Sequence, residues 1–124
     1  MLTLRLMPWQ LSVVKLSSGD DYDWAKSSDF YSFTQTLEET SLLCESHLVP
    51  EGYKQESGWK VLKIDAILDF DMVGIIAKIS GVLAEANVSI FALSTYNTDY
   101  ILIKQDQADR ALASLREKDY KVIA

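Results

Sequence analysis

One short segment combines an acidic residue, a glycine and the start of an apolar helical pattern directly after a strand-like run. The segment consists of Asp71, Met72, Val73, Gly74, Ile75 and Ile76, and it follows a strand-like run that ends at Phe70. A loop that opens a helix directly after a strand points unpaired backbone N–H groups beyond the end of that strand. Glycine lets a ligand approach this backbone closely. The segment therefore predicts a binding site for a carboxylate.

This interpretation extends from an anion to a free amino acid. A free amino acid needs donors for its carboxylate, which the amides of residues 74–76 could supply. It also needs acceptors for its ammonium group, which Asp71, Asp99 or strand carbonyls could supply. Each residue also has a purely structural interpretation. Gly74 could only relieve a tight strand-to-helix turn, Asp71 could only cap the helix, and Asp99 could only be a hairpin-turn residue.

The elements that must position these residues are clearest in residues 58–124. Trp59–Phe70 predicts a strand, and residues 74–86 carry an apolar stripe at helical spacing. The following segments predict a β-hairpin, a second amphipathic helix and a last strand: Val88–Tyr96 with Tyr100–Lys104, Asp106–Glu117, and Tyr120–Ile123. The order is βαββαβ, which predicts a ferredoxin-like fold of the α+β class.

Residues 1–57 look like a shortened copy of this unit. Val13 and Val61 start similar strand patterns 48 positions apart, whereas Thr36 and Thr95 start similar hairpin segments 59 positions apart. The first copy is therefore 11 residues shorter where its helix would be. We predict two domains, an abbreviated unit at 1–57 and a complete unit at 58–124.

Composition and charge exclude several classes of function. The chain has 124 residues and a net charge of −6, which argues against a nucleic-acid partner. The single cysteine, Cys44, excludes an internal disulfide and a cysteine-based metal cluster. No nucleophile–base pair, phosphate loop or metal-ligand cluster is visible, so we predict no enzyme activity, no catalytic residue, no metal and no cofactor. The sequence shows no membrane span and no secretory leader, so we expect a cytoplasmic protein with no membrane partner.

Four stretches together resemble the ACT domain, the small-molecule regulatory module of amino-acid metabolism. More narrowly, these stretches resemble the tandem CASTOR-type ACT proteins, which are related to the regulatory end of aspartate kinase. The matching stretches are Thr36–Cys44, Gly58–Lys63, Asp69–Ile76 and Ser94–Ile103.

The resemblance implies two ACT-like units side by side, with an amino acid bound at their junction. The loop of Asp71 to Ile76 would then face Thr40, Ser41 and Leu42 of the first copy. Asp99 matches an acidic position that can reach the ammonium group or a basic side chain of the ligand. Because the first copy is eroded, we expect one pocket per chain, and a homodimer is compatible with the family. The implied function is a non-catalytic amino-acid sensor; the alternative is a structural or interaction module that has lost its ligand.

Overall fold

The computed structural model describes residues 2–65 and 74–124. By internal contacts the chain divides into two compact units. The larger unit consists of Met1–Pro8 and Lys60–Ala124, and the smaller unit is Trp9–Trp59. The predicted boundary between residues 57 and 58 stays a prediction, and residues 1–8 are grouped here with the C-terminal part of the chain.

The described residues form eight β-strands and two α-helices. In chain order these are β1 (Thr3–Leu6), β2 (Leu11–Leu16), β3 (Ser32–Gln35), β4 (Thr40–Glu45), β5 (Gln55–Ile64), α1 (Ile75–Glu85), β6 (Ile90–Ser94), β7 (Asp99–Lys104), α2 (Ala108–Glu117) and β8 (Lys121–Ile123). From β5 onward the order is βαββαβ, so the predicted α+β class and its element order are confirmed. No helix among the described residues is both long and apolar enough to cross a membrane.

The larger unit is a sheet with helices whose apolar faces form its core. β1 pairs antiparallel with the second half of β5 and parallel with β8, while β7 pairs with β5 and β6. α1 buries Ile79 and Leu83, four residues apart and therefore on one helix face. The core side chains are Leu4, Leu62, Ile64, Ile79, Leu83, Val88, Ile101, Ile103, Ala108, Ala111, Leu112 and Leu115.

An arginine of the second helix caps the end of the first. Arg110 donates from Nε to the carbonyl of Ala86 at 2.8 Å and from Nη2 to the carbonyl of Asn87 at 2.8 Å. Carbonyl groups in the last turn of a helix have no partner within that helix, and a cation there also opposes the negative end of the helix dipole. Asn87 has a φ of 60° and follows the C-cap residue of the helix.

The smaller unit is an antiparallel sheet with the strand order β3, β4, β2 and the first half of β5. One side of this sheet packs on a small core that includes Val14, Leu42 and Cys44. Residues 9–59, all of which the structure describes, contain 3-10 turns at Asp23–Ala25 and Ser46–Leu48 but no α-helix. That this stretch is an abbreviated copy of the larger unit stays a prediction.

Candidate functional site

α1 begins at a glycine whose backbone conformation strongly favours glycine. Gly74 has φ 83° and ψ 4°, in the left-handed region, and as the N-cap residue it has no side chain of its own that could cap the helix start. Apart from its chain neighbours, no described residue would come within 4 Å of a Cβ atom built at Gly74, so the described part of the chain leaves space beside this backbone. The first helical amides have no acceptor within the helix. This helix start can therefore accept a small anion at close range.

The structure places only part of the predicted loop. Asp71, Met72 and Val73 lie outside the described residues. Ile75 and Ile76 form the first turn of α1, and both pack against the core of the larger unit. Their backbone amides are the groups of these two isoleucines that could hydrogen-bond a ligand.

Asp99 is held in place within the β6–β7 hairpin. Ser94 and Asp99 are paired residues of the two strands, and the Ser94 hydroxyl lies 2.5 Å from Oδ1 of Asp99. The turn between them is closed by the Thr95 amide, which donates to the carbonyl of Thr98 at 2.9 Å. Asp99 is half-buried, and Ser94 fixes one of its two carboxylate oxygens. The other oxygen can accept from a cationic group.

Thr98 lies in the turn between β6 and β7. It is 4% exposed, and its hydroxyl donates to the carbonyl of Ile64 at 2.7 Å. Ile64 is the last residue of β5, and Asp65 after it forms an ion pair with Arg5 at 2.9 Å. Thr98 therefore ties the hairpin that carries Asp99 to the end of the strand that precedes the loop. A single threonine in a turn gives no sequence signal for this role.

Thr40, Ser41 and Leu42 lie in β4 of the smaller unit. This strand is flanked on both sides, since β4 pairs with β2 and with β3 along all three residues. Leu42 is 1% exposed and belongs to the small core, whereas Thr40 and Ser41 are half-buried. The side chains of Thr40 and Ser41 are thus the groups of this segment that remain accessible to a ligand.

Two open grooves of the smaller unit run past these side chains. A groove of about 400 Å³ is lined by Ser41 together with Lys15 and Glu39, among others. A neighbouring groove of about 310 Å³ is lined by Thr40 and by the same lysine and glutamate. Both signs of charge are therefore present beside Thr40 and Ser41.

The described residues offer little support for covalent or metal chemistry. The Cys44 thiol is buried, and burial raises its pKa to about 11, so it stays protonated and a poor nucleophile at neutral pH. Among residues 2–65 and 74–124, no group of three or more His, Cys, Asp or Glu side chains could hold a metal ion. What the described site residues offer is hydrogen bonding and charge.

Comparison with known proteins identifies the family. A family model described as the ACT domain matches residues 54–117. A stretch of 61 residues is 34% identical to the cytosolic arginine sensor for mTORC1 subunit 1 of Homo sapiens, covering 48% of this chain and 18% of that protein. The chain thus spans less than a fifth of the length of the curated relatives that it matches.

Solved structures show the same fold over nearly the whole chain. A protein of Agrobacterium tumefaciens superimposes with a TM-score of 0.90 at 24% identity, covering 98% of this chain and 92% of that chain. The ligand-free regulatory subunit of aspartate kinase from Thermus thermophilus gives a TM-score of 0.63 at 10% identity, covering 92% and 95%. At these identities the likeness concerns the fold alone. The ferredoxin-like ACT fold predicted from the sequence is confirmed.

Proposed function

We propose, from the premise that the chain belongs to the ACT-domain family, that it is a non-catalytic regulatory protein that binds a free amino acid. The observation that carries the proposal is the start of α1. There Gly74 adopts φ 83°, the space beside it is open as far as the described residues go, and the N-cap position itself provides no side chain for the first helical amides. A carboxylate is the ligand group that matches unpaired amides at the positive end of a helix.

The ammonium group of the ligand would be bound by a carboxylate of the same unit. Asp99 is oriented by the Ser94 hydroxyl and keeps one oxygen for a charge-assisted hydrogen bond. Each such bond contributes about 1.5–3 kcal/mol before ordering costs, so three or four of them suffice for micromolar affinity. Asp71, Met72 and Val73 complete the proposed loop, as the family resemblance implies.

Arginine is the first amino acid to test. The curated relatives are named as arginine sensors, and their matching stretch covers about half of this chain. A guanidinium group adds five donors, and a second carboxylate can accept from them. The relatives are also named as cytosolic, and we propose the cytoplasm for this protein.

The test is a thermal-shift screen of the purified protein against the twenty amino acids. A ligand at 100 times its Kd adds about 2.7 kcal/mol to the free energy of unfolding, which gives a readily measured rise in Tm. Asp99→Asn should reduce this rise, whereas Asp109→Asn, in the same unit but outside the proposed site, should leave it unchanged. Thr40→Val and Ser41→Ala show separately whether β4 takes part.

The second candidate function is that of an interaction module that binds no amino acid. If none of the twenty amino acids raises Tm at millimolar concentration, the sensor proposal fails. The exposed apolar side chains of the smaller unit then favour the interaction module, since such side chains are a feature of docking surfaces.

A further inference from the structure

The net charge of the chain is concentrated in the smaller unit. Residues 9–59 contain 3 basic and 9 acidic residues, a net charge of −6. Residues 1–8 and 60–124 contain 9 of each sign and are neutral. A unit of 51 residues that carries the whole imbalance attracts basic partners and repels acidic ones.

β3 forms an edge of the sheet in this acidic unit. Among the described residues it pairs only with β4. The Thr36 amide donates to the Glu39 carbonyl at 2.8 Å, which makes these two residues a hydrogen-bonded pair. Because bonded and non-bonded pairs alternate along an antiparallel ladder, Thr34 bonds to β4 and the backbone groups of Phe33 and Gln35 point outward. The outer edge of β3 therefore presents open N–H and C=O groups.

The edge is uncharged and lacks the usual protection against added strands. β3 reads Ser-Phe-Thr-Gln, with no charge and no proline, the features that commonly block strand addition. Tyr31 is 43% exposed, Phe33 is 36% exposed, and Leu37 at the hairpin tip is fully exposed. Phe33 stacks on Tyr22 with ring centroids 4.5 Å apart and an interplanar angle of 15°. This stacked pair is a preformed platform for one apolar side chain.

Acidic residues flank both ends of the edge. Asp29 precedes the strand, Glu38 and Glu39 follow it, and none of the three forms an ion pair with another described residue. Lys26, which lies 5.3 Å from the Tyr22 ring centroid, is paired with Asp23 at 2.8 Å. A second copy added antiparallel would bring its own glutamates beside Asp29, and like charges would repel. The charge pattern favours a partner with basic ends.

We propose that the outer edge of β3 is a docking site for an extended segment of a partner protein. The segment adds to β3 as a further strand, packs one apolar side chain on the stacked pair of Phe33 and Tyr22, and carries Lys or Arg near both ends. Main-chain bonds supply affinity in this mode of recognition, and side-chain contacts supply selectivity.

A defined peptide tests the proposal. The probe is a fluorescent ten-residue peptide of alternating threonine and valine with two lysines at each end, and its binding is followed by fluorescence polarisation. A matched peptide with glutamate in place of lysine should bind roughly tenfold more weakly or not at all, and added salt should weaken the lysine peptide. A third peptide, N-methylated along one edge of its strand, should not bind, because it cannot pair with β3.

Variants of the protein test the surface. Gln35→Pro removes an outward N–H group and leaves the bonds to β4 intact, so it should weaken the lysine peptide roughly tenfold. The double variant Glu38→Lys with Glu39→Lys should also weaken binding of the lysine peptide. Glu117→Lys, in the larger unit, should leave this binding unchanged. Circular dichroism establishes that each variant is folded. If Gln35→Pro fails to fold, the N-methylated peptide decides.

Three results would overturn the proposal. Equal binding of the lysine and glutamate peptides would remove the charge argument. Undiminished binding of the N-methylated peptide, or of a folded Gln35→Pro variant, would remove strand addition. A dimer detected by analytical ultracentrifugation that Gln35→Pro abolishes would assign the edge to a second copy of this chain.

Discussion

Replacing Gly74 with alanine separates the structural role of this glycine from its proposed role in binding. Gly74 has φ 83°, where a residue with a side chain is strained by about 1–2 kcal/mol. Apart from its chain neighbours, the added methyl group would meet no described residue within 4 Å, so no clash with these residues adds to the strain. For a chain of this size the strain should lower Tm by about 3–8 °C.

The effect on the ligand should be much larger than the effect on the fold. The methyl group would occupy the space through which a carboxylate reaches the first helical amides. Loss of two charge-assisted hydrogen bonds removes about 3 kcal/mol or more, equivalent to a Kd roughly a hundredfold higher. At a ligand concentration of 100 times the original Kd, the stabilisation should then fall from about 2.7 to about 0.4 kcal/mol.

Gly19→Ala is the matched control for the strain. Gly19 has φ 82°, and a Cβ atom there would also meet nothing within 4 Å, but it belongs to the smaller unit and lies outside the proposed site. Both variants should lose similar stability without ligand, and only Gly74→Ala should lose the thermal shift caused by the amino acid. A Gly74→Ala variant with the full shift would show that this helix start does not bind the ligand.

Three further predictions concern groups that the structure ties down. Thr98→Val should lower the free energy of unfolding by about 1–3 kcal/mol, because the buried Ile64 carbonyl loses its donor, while Thr98→Ser should retain the bond; urea unfolding measures both. Arg110→Ala should cost about 1 kcal/mol by removing two bonds to the end of α1, and Arg110→Lys, which lacks the fork, should recover little of it. The pKa of the Cys44 thiol is raised from 9.0 to about 11 in the folded chain, so with rising pH the thiol ionises in the unfolded chain first. The free energy of unfolding should therefore fall between pH 9 and 11. Cys44→Ala should remove that part of the decline in pH-dependent urea melts, and the native thiol should resist iodoacetamide until the chain unfolds.

The helices and the hairpin of the larger unit are predictable because their signals are local. α1 repeats apolar residues at helical spacing, and Asn87 marks its end. β1 escapes the sequence analysis although Leu4 alternates with Thr3 and Arg5. A strand of four residues is recognised by the strands that pair with it. For β1 these are β5, about sixty residues away, and β8, about a hundred and twenty residues away. Loop closure over such distances leaves no trace in a short window of sequence.

The candidate site shows the same division between local and distant signals. The backbone conformation of Gly74 follows from its position between a strand and a helix, and this position is visible in the sequence. The hydroxyl of Thr98 becomes important only because the fold brings it to Ile64, 34 residues earlier. Leu42 enters the site by family position alone, and its burial in the small core points to Thr40 and Ser41 as the accessible groups of β4.

A regulatory protein must couple its ligand to its target, and that coupling is measurable here. Gly74 and Asp99, which are proposed to bind the free amino acid, belong to the larger unit, whereas the proposed docking edge of β3 belongs to the smaller unit. Equilibrium linkage requires that, if the amino acid changes the affinity for the lysine peptide by some factor, the peptide changes the affinity for the amino acid by the same factor.

Regulatory couplings commonly amount to about 1–3 kcal/mol, or roughly 5- to 150-fold in Kd. Isothermal titration of the amino acid, with and without saturating peptide, should therefore shift its Kd by at least fivefold. The reverse titration must give the same ratio, which guards against an effect of the peptide on protein stability alone. Equal Kd values in both titrations would mean that the two surfaces act independently, and regulation by the amino acid would then require a different docking surface.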